Sequence, residues 1–236
     1  MTDTVFFDLD NTILDFNKAE RVALSRTLEA LGIPPTEEVC ARYSAINLAQ
    51  WKLLEKGLIS RREVKLGRFR LLFKELGVDA SPEQAAAAYE SLLGIGHYFM
   101  EGAQELLLEL RGRYRLYLVT NGTAAVQHGR LKSADLPKYF EDIFISEEIG
   151  FNKPDVRYFE RCFERIPDFK KKNAVIVGDS LSSDIQGGVN AGLRTVWFHP
   201  AGEAGVPQET ACGGDVPVPD WEIRKLSELP GLLERI

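Results

Sequence analysis

From about residue 101 the chain alternates apolar strand-like runs with helical patterns, and this alternation limits its possible folds more than any other feature. Helical patterns at 102–112, 123–134, 155–166 and 183–191 are interleaved with apolar runs at 116–120, 143–146, 174–177 and 195–198. Strands separated by helices of this length are joined by crossovers, and crossovers within one sheet are right-handed and make the strands parallel. Such a sheet carries helices on both faces, so its strands read as nearly unbroken apolar runs, as Val175-Ile176-Val177 does. Residues 4–8, β-branched and aromatic, form one more buried strand of the same sheet.

Between that strand and the rest, residues 17–93 are helical in pattern almost throughout. Apolar residues recur at helical spacing at Val22, Leu24, Leu28 and Leu31, and at Leu66, Phe69, Leu72, Phe73 and Leu76. Gly32-Ile33-Pro34-Pro35, Gly57, Gly77 and Ser81-Pro82 break the stretches apart. Ser60 three residues before Glu63, and Ser81 before Pro82 and Gln84, offer hydroxyls to the orphan N–H groups of a first helical turn. The expected fold is α/β: a mostly parallel sheet with helices on both faces, residues 1–15 and 100–236, interrupted by an all-helical domain of residues 16–99. The chain would cross between them near residues 14–18 and 95–101. Residues 200–219, rich in Gly and Pro, are expected to be loop, closed by a short helix at 226–235.

Composition excludes several functions. With 29 basic against 35 acidic residues the net charge is −6, which leaves no electrostatic footprint for a nucleic-acid polymer. No apolar run reaches the roughly 18 residues that a membrane span needs. The opening residues, MTDTVFFDLD, hold acids where a secretory leader needs a basic and then an apolar stretch. Cys40, Cys162 and Cys212 suit neither a zinc site nor a disulfide framework, so a reducing, cytoplasmic setting is expected. His97, His128 and His199 match no triad or metal spacing.

The chemistry collects at strand ends, where α/β sheets bind ligands. The first strand ends in Asp8-Leu9-Asp10-Asn11-Thr12, and two acids so close repel unless a cation or a shared proton offsets them. Val175-Ile176-Val177-Gly178 runs into Asp179, with Asp184 five residues on; Val119 leads into Thr120-Asn121-Gly122; Asn152-Lys153-Pro154 precedes another helix. Each piece alone is a plausible cap or surface residue, but together they place acids, a hydroxyl and an ammonium on one rim. Gly187, Gly188 and Gly192 suit close helix packing better than a phosphate cradle.

These motifs, in this order and over essentially the whole chain, resemble the haloacid dehalogenase-like hydrolases. The resemblance implies a Rossmann-like core with a helical cap inserted after the first strand. Within that family, the cap length and the segments 145–150 and 184–192 look closest to pyrimidine 5′-nucleotidases, which clear noncanonical nucleoside monophosphates. It further implies Asp8 as nucleophile, with Asp10 as general acid and then base, the residue that separates phosphatases from relatives that cleave carbon–halogen bonds. Mg²⁺ would be held by Asp8, the Asp10 backbone carbonyl and Asp179, with Asp184 assisting. Lys153, the Thr120 hydroxyl and the Asn121 and Gly122 amides would bind the phosphoryl oxygens. In the cap, Asn47, Trp51, Lys52 and Arg68 are candidates for nucleoside contact, although Trp51 also lies at helical spacing from Leu48 and Leu54 and would pack equally well in a core. The substrate expected is a small phosphorylated metabolite, a nucleoside monophosphate foremost. A sugar-phosphate or phosphoglycolate phosphatase and a β-phosphoglucomutase are the alternatives on the same fold. A dehalogenase and a non-catalytic binding protein are disfavoured by the intact acids. Oligomeric state is left open.

Overall fold

The computed structural model describes residues 1–200 and 217–236. They form two compact units: one of Met1–Asp15, Tyr98–Ala124 and Asp135–Ile236, the other of Phe16–His97 with Ala125–Ala134.

The first unit is built on a six-stranded sheet. Its strands are β1 (Thr4–Phe7), β2 (Arg115–Thr120), β3 (Asp142–Ile145), β4 (Ala174–Gly178), β5 (Arg194–Phe198) and β6 (Trp221–Ile223), in the order β3-β2-β1-β4-β5-β6. Every pairing is parallel. β1 lies at the centre, with Phe7 opposite Leu118 of β2 and Val177 of β4. Carried one residue on, that register sets Asp8 level with Val119 and Gly178, just before Thr120 and Asp179. The strand order reverses at β1, so these ends surround the switch point at which such sheets bind ligands.

Both faces of the central strands are buried. On one, Phe6, Tyr117, Val119, Phe144 and Ile176 pack with Tyr158, Phe159 and Cys162 of helix Val156–Glu164. The neighbouring helix Gln186–Ala191 comes close because two glycines face inward. A Cβ on Gly188 would lie 2.6 Å from Ile176 Cγ2, and one on Gly187 would lie 2.7 Å from the Phe159 ring. These are packing glycines, as their placement in the sequence suggested.

The tail departs from expectation. Trp221–Ile223 pairs with β5 as a sixth strand, with Trp221 opposite Val196, and only Ile223 of the three is fully buried. A three-residue strand with one buried side chain leaves no periodic signal. The helix expected at 226–235 is a 3₁₀ turn, Leu226–Glu228, followed by helix Leu229–Leu233. Residues 201–216 of the expected loop, with Cys212, lie outside the described residues. Ser146, expected in a strand, opens the single helical turn Ser146–Ile149.

The second unit is helical: Phe16–Ala30, Glu37–Glu55, Arg61–Leu76, Pro82–Leu93 and most of Ala124–Ser133. Ser60 and Glu63 form a full capping box, and Ser81 accepts from the Gln84 N–H with Pro82 in the first turn. Tyr43, Phe69 and Tyr89 pack as an aromatic core, ring centroids 5.1 to 5.7 Å apart. Residues 125–134, expected with the sheet, belong here. Gly129 approaches Gly94 so closely that a Cβ would sit 2.5 Å from the Gly94 carbonyl oxygen. Arg130 Nε donates to the Gly96 carbonyl and Ser133 Oγ to that of Ile95. Among the described residues no helix is long and apolar enough to cross a membrane.

Candidate active site

At the end of β1 the Asp8 N–H donates to Val177 O at 2.9 Å, extending the sheet by one step. The chain then turns sharply: the Asn11 N–H reaches Leu14 O, and the Ile13 and Leu14 N–H groups both reach Leu9 O. Asn11 occupies the left-handed region (φ 57°), which Asn tolerates better than most residues. Leu9, Ile13 and Leu14 are buried by this turn; Asp8 is 6% exposed and Asp10 half-buried.

Asp8, Asp179 and Asp184 come together, each with one carboxylate oxygen within 4.8 Å of the others. Asp179 directly follows β4, and its backbone carbonyl accepts from the Trp197 indole at 2.7 Å. Asp184 sits on the wide turn Leu181–Ile185, in which the Ile185 N–H reaches back five residues to Ser180 O. Such turns recur at functional sites. Asp184 Oδ2 accepts from the Ser180 N–H at 3.0 Å. The carboxylate rests directly on the β4 backbone, because a Cβ on Gly178 would fall 2.4 Å from Asp184 Cγ.

Lys153 binds the acids together. Its ammonium, 1% exposed, donates to Asp8 Oδ1 at 2.5 Å, Asp184 Oδ1 at 2.6 Å and Val119 O at 2.9 Å. Those are all three donors an ammonium has. Burial would lower the Lys153 pKa, but Asp184 and Asp8 outweigh it and hold the group above its usual range, firmly charged. Asp8 is pushed up to about 8, chiefly by burial; Lys153 pulls against this while Asp184 and Asp10 add to it. Asp179 is raised well above the carboxylate range by burial and then by Asp8 and Asp184. One ammonium therefore faces three clustered carboxylates, with Asp10 adding to their repulsion. An all-oxygen donor set short of positive charge fits a hard divalent cation such as Mg²⁺.

The β2 end completes the rim. Thr120 is fully buried as the last residue of the strand. The Asn121 side chain turns to the Lys153 backbone, donating to its carbonyl and accepting from its N–H. Gly122, expected to offer its amide to phosphate, donates that amide to Ser146 Oγ at 3.2 Å, since Ser146 begins a helical turn directly across from it. Sequence reasoning missed Ser146, Ser180 and Trp197 as supports. Only the position of Trp197 on a strand beside β4 could have pointed to it.

The helical-unit candidates fare differently. Asn47 and Arg68, each 3% exposed, lie inside the unit. Glu20 accepts from Ser44 Oγ and from Asn47 Nδ2 at 2.6 Å, and Asn47 Oδ1 accepts from Arg68 Nη1 at 3.1 Å. With both ends of its amide spent on neighbours, Asn47 does not present a base-reading edge, and Arg68 packs with its guanidinium 4.6 Å from the Tyr89 ring centroid. Both side chains, expected to contact a nucleoside, are thus engaged within the helical unit. Burial raises the Glu20 pKa, and its hydrogen bonds with Ser44 and Asn47 and the Arg68 charge oppose the shift. Lys52 pairs with Glu55 at 3.5 Å. Trp51 is half-buried, with the Arg61 guanidinium 5.7 Å from its ring centroid.

Known proteins resemble this chain in sequence and in structure. A family model described as haloacid dehalogenase-like hydrolase matches residues 5–198. The HAD-hydrolase YfnB of Bacillus subtilis is 42% identical over 230 residues, spanning 98% of this chain and 94% of YfnB. A crystal structure of YfnB bound to magnesium superposes with a TM-score of 0.88 over 98% of both chains. Pyrimidine 5′-nucleotidase PynA of Streptococcus pneumoniae is 40% identical over 83% of each chain. Pyrimidine 5′-nucleotidase YjjG of Escherichia coli is 32% identical over 98% of this chain and 97% of its own. The chain belongs to the haloacid dehalogenase-like hydrolases and is a phosphatase among them.

Proposed function

We propose that this protein is a Mg²⁺-dependent 5′-nucleotidase for pyrimidine nucleoside monophosphates, acting through an aspartyl phosphate on Asp8 in the cytoplasm. The observation that carries the reading is the buried Lys153 ammonium shared between Asp8 and Asp184, with Asp179 completing the acid cluster. A carboxylate nucleophile divides ester hydrolysis into two easier displacements. An Asp8 oxygen bonds to phosphorus as the P–O ester bond breaks, and Asp10 gives its proton to the departing alcohol oxygen. Asp10 then takes a proton from water as the water oxygen attacks phosphorus. The bond between phosphorus and Asp8 breaks, and inorganic phosphate leaves.

Lys153 supplies one positive charge to the phosphoryl oxygens, and the Thr120 hydroxyl and the Asn121 backbone N–H supply donors. A loose phosphoryl-transfer transition state rewards such placement. Asp8, the Asp10 backbone carbonyl and Asp179 would hold Mg²⁺, with Asp184 steadying the cluster through Lys153. When bound, the ion supplies charge to offset the acids and the phosphate. The family resemblance and the names of PynA and YjjG support the nucleotide part of the reading. Of the helical-unit candidates, the half-buried Trp51 is the one proposed for nucleoside contact, because an aromatic ring can stack on a base. The free thiols of Cys40 and Cys162 suit a reducing compartment.

Two measurements test this reading. Asp8→Asn is expected to abolish Mg²⁺-dependent p-nitrophenyl phosphate hydrolysis; turnover equal to wild type removes the covalent mechanism. Among dUMP, dTMP, UMP, phosphoglycolate and sugar phosphates, the pyrimidine nucleotides should give the highest kcat/KM. Sugar phosphates ahead by about a hundredfold would remove the nucleotidase assignment and leave the phosphatase one standing.

A further inference from the structure

Asn121 follows Thr120 at the end of β2, and its side chain is committed to a residue 32 positions away. Nδ2 donates to the Lys153 carbonyl and Oδ1 accepts from the Lys153 N–H, both at 2.9 Å. A backbone N–H only donates and a carbonyl only accepts, so this pairing fixes which way round the amide stands. One side chain thereby satisfies both backbone groups of a single residue, as a neighbouring strand would.

We infer that Asn121 is a positioning residue for Lys153, holding the base of that side chain while its ammonium changes partners during turnover. The inference rests on the phosphatase reading above. Lys153 is now held at both ends: by Asn121 at the backbone, and by Asp8, Asp184 and Val119 O at Nζ. When Asp8 bonds to phosphorus, the ammonium exchanges part of that set for phosphoryl oxygens. The Asn121 clasp involves neither Asp8 nor substrate, so it persists through both displacements. Four rotatable methylenes separate the Lys153 backbone from its charge. A loose base would let Nζ wander, with a loss in rate rather than in substrate binding. The same amide also ties Lys153 to the residue adjoining Thr120, so hydroxyl and ammonium approach the phosphoryl group from one rigid frame.

A double-mutant cycle with Lys153 tests this directly. Asn121→Ala should lower kcat for p-nitrophenyl phosphate by roughly ten- to a hundredfold with KM nearly unchanged, the scale expected for misplacing a catalytic group by about an ångström. Asn121→Asp keeps the acceptor but sets a carboxylate oxygen against the Lys153 carbonyl, and should lose at least as much. In the Lys153→Ala background, Asn121→Ala should change the residual rate by less than about twofold, because residues acting through one another are not additive. Binding of orthovanadate with Mg²⁺ present gives the same cycle where residual rates are too low to compare. Equal factors in both backgrounds, or a kcat for both Asn121 variants within about twofold of wild type, overturn the inference. Unimpaired turnover by Lys153→Ala alone would instead overturn the role of Lys153 at the phosphoryl group, on which the inference rests, so the two failures are distinguishable. Circular dichroism and melting of each variant identify misfolding, and Asn121→Asp, isosteric with the native residue, carries the test should Asn121→Ala fail to fold.

Discussion

Gly178→Ala should dismantle the acid cluster without touching a single charged residue. The added Cβ would lie 2.4 Å from both Cγ and Oδ2 of Asp184 and 2.5 Å from its Cβ. Asp184 cannot simply swing aside, because Oδ1 is held by Lys153 Nζ at 2.6 Å and Oδ2 by the Ser180 N–H at 3.0 Å. Overpacking of this kind costs about 1–3 kcal/mol. Losing the charge-assisted bond to Lys153 adds about 1.5–3 kcal/mol. The expected destabilisation is therefore roughly 2.5–6 kcal/mol, a large part of the roughly 5–15 kcal/mol that holds a folded protein together. For a chain of this size each kcal/mol moves Tm by about 2–4 °C, so even the lower figure lowers Tm by roughly 5–10 °C. Melting curves with EDTA and with saturating Mg²⁺ separate steric damage from site damage. Wild type should gain about 2.7 kcal/mol at a hundred times Kd, and Gly178→Ala should gain almost nothing. Gly188→Ala is the control: its Cβ would strike Ile176 and Thr195 at 2.6 and 2.7 Å, away from the acids. It should melt early yet keep its Mg²⁺ shift. A Gly178→Ala protein that melts within about 2 °C of wild type, with its Mg²⁺ shift intact, would refute the reasoning.

The other expectations concern single groups. Asp10→Asn should slow hydrolysis of nucleotides and alkyl phosphates by about 10²–10⁴ but cost much less with p-nitrophenyl phosphate, whose leaving group needs no proton; equal losses on both substrates would count against Asp10 as the acid. Asp8 titrates near 8 in the metal-free fold, above its unfolded value, so the fold favours the protonated form. Metal-free stability should therefore fall as pH rises from the carboxylate range through about 8. Mg²⁺ binding needs the ionised group and should tighten over the same interval with release of protons; calorimetry in buffers of different ionisation enthalpy reads both, and an affinity that does not change between pH 6 and 8 contradicts this assignment. Glu20→Ala leaves Ser44 and Asn47 without their acceptor and the buried Arg68 short of compensation, so urea unfolding should show a loss of about 3–5 kcal/mol; a loss under about 0.5 kcal/mol would mean the network is idle.

The sheet and its acids were legible because both rest on strong physical constraints. Parallel strands buried on two faces admit few residue types, so Val175-Ile176-Val177 could hardly be anything else. Acids where such strands emerge need a partner, which made Asp8, Asp179 and Asp184 informative at once. Ser60 and Ser81 were readable for a local reason, since a cap and the N–H groups it serves lie within three residues. Lys153 was readable as a charge near the rim and, through the resemblance, as a phosphoryl contact; that all three of its donors are spent on Asp8, Asp184 and Val119 is a fact of assembly.

What stayed hidden depends on distant parts of the chain. The membership of residues 125–134 turns on Gly129 meeting Gly94, two glycines that look incidental in sequence. Asn47 and Arg68 show why the helical unit resisted reading. A polar residue on an amphipathic helix has the same spacing whether it meets a ligand or a buried carboxylate, and here the carboxylate, Glu20, lies 27 residues before Asn47. Phosphoryl transfer needs particular groups at particular strand ends, so its residues stand out from their surroundings. A helical interior needs only that each buried donor find some acceptor, and many pairings satisfy that condition. Substrate choice is therefore better sought by varying the half-buried Trp51 than the Glu20–Asn47–Arg68 network, whose substitution changes stability before it changes specificity.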